Sequence, residues 1–455
     1  MQFTDFRNKK VLIMGLGLHG GGVGAARFFS RLGSHVVVTD LKTKRELAPS
    51  LAKLKRFKHI TYHLGGHQSA DFKSADYVIK GPGVPETSKF LKIAKRAGIP
   101  VLSDVEVFFR SCPAPIIGIT GTKGKSTTAT LLCQLLKHDP RKLRVWLAGN
   151  IRKSVLDILP RVRKNDLVIL ELSSFQLDSL RNSRTSPRIA IITNIFPDHL
   201  NRYPSMRAYI TSKANIFKFQ KHGDYLFISA RDPLLQRLAR QAPGRVVRFD
   251  PARTARRSRA GMTPDIPPYQ FSNIAAAIAV ARHLGVEERT IRKVLTGFRG
   301  LPGRMELVRK VRGVSFINDT TATNPTAAEQ AVIATKRRIG HHGLHVIAGG
   351  YDKGLPVMDF VRALRRHTAT IVFLPGGASQ KIKSEIRNPK PETNLKFQIP
   401  KLSNAKSMPQ AVRIAYRNAK RGDVVLLAPG AASFGLFKHE FDRGEQFVRA
   451  VRRLS

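Results

Sequence analysis

Short apolar runs alternate with longer amphipathic stretches along the whole chain. Runs at residues 11–14, 36–39, 77–79, 116–119, 167–170, 189–193, 344–348, 371–374 and 424–427 have the length of strands. A strand that is apolar at nearly every position is buried on both faces, and helical periodicity between such strands makes parallel βαβ units. The pattern predicts an α/β fold in three blocks: residues 1–104, 105–300 and 301–455. The first block closes after an extended segment at 98–102. The second opens with a strand at 115–119. The third opens at Leu301-Pro302-Gly303-Arg304, where Pro and Gly mark a linker. No internal repeat is visible. Residues 252–268 are polar and rich in Arg and Pro, and are expected to form an exposed loop.

Composition narrows the class. A chain of 455 residues is too long for one core, and 42% hydrophobic residues can build several. The two cysteines, Cys112 and Cys133, form no CxxC pair, which argues against a disulfide framework or zinc site and fits a reducing compartment. The first 20 residues lack the apolar core and cleavage site of a signal peptide, and no run approaches the roughly 18 apolar residues that span a bilayer. A cytoplasmic protein without membrane insertion is expected. Lys and Arg number 79 against 31 Asp and Glu, a net charge of +48. Such a field attracts polyanions without selecting among them. The basic residues are spread along the chain, without interleaved aromatics, and the densest stretch, 253–259, is short. A solvated basic surface is therefore expected rather than a specific nucleic-acid site.

Candidate chemistry begins with Gly15-Leu16-Gly17-Leu18-His19-Gly20 after the first strand, and Asp40 at the end of the second. This GxGxxG arrangement places a pyrophosphate at a helix N-terminus. It does not say which nucleotide binds, so a dehydrogenase stays open on this block alone. Gly81-Pro82-Gly83 forms a second glycine turn at the same sheet edge. The strongest signal is the strand at 116–119 running into Gly121-Thr122-Lys123-Gly124-Lys125-Ser126-Thr127, with a helix at 128–137. A Gly-Lys-Ser turn there cradles phosphates with backbone N–H groups and Lys125, while Ser126 can ligate Mg²⁺. Ile119 stands where the usual pattern has its first glycine. Glu171, at the end of an apolar run, is the acidic metal partner such a loop needs. His199 falls where a third metal-site residue is expected.

In order, the segments at 121–127, 171–177 (Glu-Leu-Ser-Ser-Phe-Gln-Leu), 193–203 (Thr-Asn-Ile-Phe-Pro-Asp-His-Leu-Asn-Arg-Tyr) and 212–217 (Ser-Lys-Ala-Asn-Ile-Phe) resemble the Mur ligase family, most of all its glutamate-adding branch. The resemblance covers nearly the whole chain. It implies a Rossmann-like N-terminal domain for the UDP substrate, a central P-loop ATPase-like domain with a parallel sheet, and a C-terminal Rossmann-like domain for the amino acid. The implied reaction is ATP-dependent addition of D-glutamate to UDP-N-acetylmuramoyl-L-alanine through an acyl phosphate, by a monomer using two Mg²⁺ ions and a carbamylated Lys213. The added residue being L-glutamate or another amino acid is the nearest alternative; a basic nucleic-acid-binding P-loop protein is the distant one.

By the same resemblance Lys125, His199, Lys213 and Arg304 carry catalysis. Gly121 to Thr127, Asn273, Arg304 and Asp319 bind ATP. Ser126, Glu171, His199 and Lys213 hold metal. Gly17, Leu18, His19, Gly20, Asp40, Gly81, Pro82, Gly83, Asn150, Ser173, Gln176, Thr323, Lys353, Ser433 and Phe441 contact the substrates. Family positions differ at His19 and Gly81, where a hydroxyl residue is usual, at Gly303, where histidine is usual, and at Thr321, where lysine is frequent. With ATP residues in the second and third blocks, domain closure during turnover is expected.

Overall fold

The computed structural model describes residues 3–18, 20–151, 154–200, 202–258, 270–298, 300–387 and 399–455. Its strands form three sheets. The first contains β1 (Lys10–Met14), β2 (His35–Asp40), β3 (Ile60–Leu64), β4 (Tyr77–Lys80) and β5 (Val101–Ser103), in the order β3-β2-β1-β4-β5. The second contains β6 (Ile116–Thr120), β7 (Val145–Gly149), β8 (Leu167–Glu171), β9 (Ile189–Ile192), β10 (Tyr225–Ser229) and β11 (Arg245–Phe249), in the order β11-β10-β9-β6-β8-β7. The third contains β12 (Glu306–Val311), β13 (Val314–Asn318), β14 (Leu344–Ala348), β15 (Thr370–Phe373), β16 (Lys401–Asn404) and β17 (Val424–Leu427), in the order β12-β13-β17-β14-β15-β16. The first two sheets are parallel throughout. In the third, only the β12–β13 hairpin is antiparallel. The α/β expectation therefore holds.

Strand order decides where side chains meet. In the first sheet the order reverses between β1 and β4, so their following loops part and leave a crevice at the carboxyl edge. In the second, β6 lies between β8 and β9, so loops from three neighbouring strands converge. In the third, β13, β17 and β14 do the same.

By contacts the chain divides into two compact units: residues 1–258 with 272–294, and residues 259–271 with 295–455. The first unit holds both of the first two sheets on one continuous apolar core, where Phe28 and Phe108 share a cluster with Val155, Leu156 and Leu177. Arg27 bridges the two parts, donating to both oxygens of Asp157 at 2.9 and 2.7 Å.

One expectation is corrected. The polar stretch at 252–268 opens as the helix Pro251–Ser258. Asp250 accepts from the Ala252 and Arg253 amides, and Pro251 takes the first helical position, where its missing N–H costs nothing. The rest of that stretch, 259–268, lies outside the described residues. Among the described residues no helix is long and apolar enough to cross a membrane.

Candidate active site

Three loops build the centre of the first unit. After β6 the chain turns through Gly121 and Gly124, both at positive φ (150° and 84°), into the helix Lys125–Lys137. The helix starts three residues earlier than its apolar period suggests, because the glycines let the turn close directly onto it. The neighbouring loop after β9 locks this turn. Asn194 accepts from the Lys123 amide (2.9 Å) and its Nδ2 donates to the Lys123 carbonyl (3.0 Å). Thr193 Oγ1 donates to the same carbonyl (2.6 Å), and the Thr122 amide donates to the Asn194 carbonyl (3.0 Å). Thr193 and Asn194 carry no role in the sequence reading; they lie 70 residues or more from the turn they hold.

A Cβ at Gly124 would run into the side-chain amide of Asn273, which is itself buried. Non-glycine backbone in this conformation costs of order 1–3 kcal/mol even without a clash. The variant Gly124→Ala is therefore expected to weaken ATP binding by about ten-fold or more. A nucleotide titration with an unchanged affinity would contradict it.

Charge is concentrated around this turn. Lys125 Nζ donates to the carbonyls of Gly121 (2.8 Å) and Thr122 (3.1 Å). Ser126 Oγ donates to Glu171 Oε2 (2.5 Å), and Asn150 Nδ2 donates to Glu171 Oε1 (3.2 Å). The Glu171 carboxylate is buried between a hydroxyl and an amide, all oxygen or amide chemistry suited to a hard cation. Lys213, on the helix Met206–Lys218, is 2% exposed, donates to the Gly121 carbonyl (3.0 Å) and lies over the Tyr209 ring. Burial, and next the Lys125 ammonium, hold its amine well below the ordinary lysine range, against the opposing pull of Asp198, Asp178 and Glu171. His199 sits at positive φ (56°), edge-on to the Phe175 ring and half exposed. Among the described residues no group of three His, Cys, Asp or Glu side chains is disposed to hold a metal.

Below Lys213 the Tyr203 hydroxyl donates to Asp178 (2.8 Å) and lies 3.1 Å from Ser212 Oγ, which donates to the Ser174 carbonyl (2.9 Å). Burial raises the Asp178 carboxyl and pushes the Tyr203 phenol up. Ser173 and Gln176, expected to contact substrate, bind each other as a capping box at the start of the helix Ser174–Ser183.

At the carboxyl edge of the first sheet, Asp40 accepts from the amides of Gly17 (3.0 Å) and Lys42 (2.9 Å), and Ser50 Oγ donates to the Gly17 carbonyl (2.6 Å). A Cβ on Gly22 would strike the Gly15 and Leu16 carbonyls, which fixes how closely the helix Gly21–Arg31 packs on β1. The Gly81 amide donates to the Met14 carbonyl (2.8 Å), so both glycine turns, with Leu18, Gly20, Pro82 and Gly83, share one edge. His19 lies outside the described residues.

The second unit carries its own cluster. Asp319 accepts from the Met305 amide (3.2 Å), beside Arg304. Gly303 has φ 69°, and a Cβ there would press on Thr320 Cγ2 at 2.8 Å, so this backbone disfavours the histidine usual at that position. Backbone pairing of Tyr351 with Ala432 brings the Lys353 loop beside Ser433. Arg443 is fully buried and donates to the Thr320 carbonyl (2.8 Å), Thr320 Oγ1 (3.1 Å) and the Ala431 carbonyl (3.0 Å), tying the loop of Asp319 and Thr323 to that of Ser433. Burial lowers its pKa to about 10.

Three domain families match the chain in order: the Mur ligase MurD-like N-terminal domain at residues 9–103, the Mur ligase middle domain at 119–281, and the Mur ligase glutamate ligase domain at 303–431. This chain belongs to the Mur ligase family. The N-terminal match removes the dehydrogenase reading left open by the first glycine turn. Among curated relatives, a UDP-N-acetylmuramoylalanine--D-glutamate ligase of Roseiflexus sp. (strain RS-1) is 38% identical, over 97% of this chain and 98% of the relative. One from Borreliella afzelii (strain PKo) is 35% identical over the full length of both. Among solved structures, a UDP-N-acetylmuramate-alanine ligase from Thermotoga maritima superposes with a TM-score of 0.59 at 19% identity, covering 98% of this chain and 99% of that one. A MurF ligase of the same organism, in complex with ADP, superposes with a TM-score of 0.56 at 16% identity, covering 99% of this chain and 97% of that one. These two share the three-domain α/β fold.

Proposed function

We infer that the chain is an ATP-dependent ligase joining D-glutamate to UDP-N-acetylmuramoyl-L-alanine in peptidoglycan synthesis. The observation that carries the reading is a buried lysine beside a phosphate cradle, its amine held well below the ordinary lysine range, on a chain similar from end to end to curated ligases of that specificity. In this reading residues 1–104 receive the UDP substrate, 105–300 bind ATP and 301–455 bind glutamate. The enzyme works as a monomer in the cytoplasm, where its nucleotide-linked substrate and ATP are found.

A carboxylate resists attack by an amine until one of its oxygens becomes a leaving group. The alanyl carboxylate takes the γ-phosphoryl group of ATP, giving an acyl phosphate; the glutamate amine then attacks, and phosphate leaves. Two anions must first be held together, so positioning and charge neutralisation dominate. Lys125 exchanges the carbonyls of Gly121 and Thr122 for phosphate oxygens, and Arg304 adds a second cation. Asn273 and Asp319 fix the nucleoside. Ser126 and Glu171 fit one Mg²⁺, with His199 and Lys213 serving a second. Bound Mg²⁺ supplies charge neutralisation on the transferring group. In its neutral form, which burial and the Lys125 ammonium favour, the Lys213 amine would add to carbon dioxide with loss of one proton, and the resulting carbamate would offer anionic oxygens where an ammonium offers none. Lys353, Ser433, Phe441 and Thr323 receive the incoming glutamate. Gly17 to Gly20, Asp40, Gly81 to Gly83, Asn150, Ser173 and Gln176 receive the UDP-linked substrate.

The test is phosphate release from ATP and Mg²⁺ with UDP-N-acetylmuramoyl-L-alanine and D-glutamate, L-glutamate or no amino acid. Release that depends on D-glutamate is expected. Dependence on L-glutamate alone overturns the stereochemical assignment, and no release with either overturns the acceptor.

A further inference from the structure

The end of β4 carries a charge where its preceding positions are apolar. Lys80 follows the buried Val78 and Ile79 and is itself 5% exposed. Its Nζ lies 2.7 Å from Glu86 Oε1, at the far end of the turn that Gly81 opens. The same ammonium acts on three further carboxylates. Asp104 and Glu106 begin the helix Asp104–Ser111, and Asp178 belongs to the helix Ser174–Ser183 of the central sheet. Burial raises the pKa of each, and Lys80 is among the groups pulling it back down. An apolar side chain in this place would avoid the desolvation of an ammonium, so stability alone does not account for the charge.

The connections run in two directions. Glu86 belongs to the glycine turn at the UDP-substrate edge. Asp178 accepts from Tyr203, whose loop carries His199. From that same loop Arg202 Nη2 donates to the Gly83 carbonyl (3.1 Å), on the other side of the turn. Residues 81–86 are thus held at one end by Lys80 and in the middle by the catalytic loop.

We propose that Lys80 is a positioning residue for the UDP-linked substrate: through Glu86 it fixes the turn at 81–86 against the central sheet, keeping the diphosphate edge and the His199 loop in one register. The proposal rests on the ligase reading above. Without the ammonium the turn loses its anchor, while the phosphate cradle, built from β6, β8 and β9, keeps all its partners.

The test measures the KM of each substrate for the full-length variants Lys80→Met and Glu86→Gln. For Lys80→Met the KM for UDP-N-acetylmuramoyl-L-alanine is expected to rise about ten-fold or more, with the KM values for ATP and D-glutamate little changed. Glu86 also pairs with Lys95 Nζ at 3.5 Å, so Glu86→Gln moves the same constant in the same direction, and the double variant falls short of the sum of the two, because they share the Lys80–Glu86 contact. A purely structural role would instead lower the melting temperature and kcat without singling out one substrate. If Lys80→Met does not fold, Glu86→Gln decides on the same readout. An unchanged KM for the UDP substrate, beside normal wild-type turnover, overturns the proposal. Absence of wild-type turnover overturns the ligase reading instead.

Discussion

Replacing Lys213 by alanine is expected to lower kcat by about 10³-fold, the size of effect that follows loss of one preorganised charge at a transferring group. Acetate or propionate added to this variant is expected to restore part of the rate, because a small carboxylate can occupy the volume of the carbamate proposed above. The physical ground is the environment of the amine: burial and the neighbouring Lys125 hold its pKa below the ordinary lysine range, which favours the neutral form that reacts with carbon dioxide. Loss of rate with no rescue by any small carboxylate would assign Lys213 to structure rather than to charge. The same burial has a thermodynamic side. A lysine whose folded pKa lies below its unfolded value of about 10.4 binds fewer protons folded than unfolded. Its contribution to stability is fully present above that value and is lost as pH falls towards the lowered one. At neutral pH the buried amine is therefore a cost, and Lys213→Met is expected to be inactive yet more stable, by about 2–4 °C in Tm for each kcal/mol recovered.

Lys125→Ala is expected to lower kcat by a similar factor, about 10³-fold, for two reasons that compound. It removes the cation proposed to meet the phosphates, and it removes one of the charges that lower the pKa of Lys213. The two lysines share the Gly121 carbonyl, so they are one electrostatic unit. Their effects should be far from additive, with the double alanine variant little worse than either single one. Log-additive losses in a double-mutant cycle of single-turnover rates would show that the two act independently. As a further sign of coupling, Lys125→Ala should need higher pH or more bicarbonate for its residual activity than the wild type does.

Much of this was legible in the sequence, and the failures have a common form. Continuous apolar runs locate most of the inner strands, because a strand covered on both faces has no polar side. The edge strands β3, β5, β7, β11, β12 and β16 are absent from those runs, and so are two inner strands, β10 and β13, in which Ser229 and Ser315 stand among apolar residues. Lys125, Ser126, Glu171 and Lys213 stand at strand ends or on the helices that follow, and His199 in the loop after β9, where a one-dimensional motif fixes position. Thr193, Asn194, Asp178 and Lys80 act across neighbouring strands or between sheets, and their partners lie far away in sequence. Ser173 and Gln176 show the reverse case. Their spacing is a visible capping-box signature, so a local structural role was readable at the positions assigned to substrate. Gly303 is a departure whose reason emerges only in three dimensions, where the backbone turns left-handed against Thr320.

The excess of basic residues bears on how these sheets stay apart from one another in a crowded solution. Among the described residues the second and third sheets are open, so each presents strand edges, the usual template for unwanted strand addition. β11 bears Arg245 and Arg248, β12 bears Arg309 and Lys310, and β16 begins with Lys401. On β7 the Trp146 ring is covered by the guanidinium groups of Arg144 and Arg161. An approaching copy of the chain in register with any of these strands would set cation against cation at close range. The charge that first suggested an affinity for polyanions thus lends this enzyme a reluctance to aggregate at its borders, one that should fade as salt rises and the repulsion is screened.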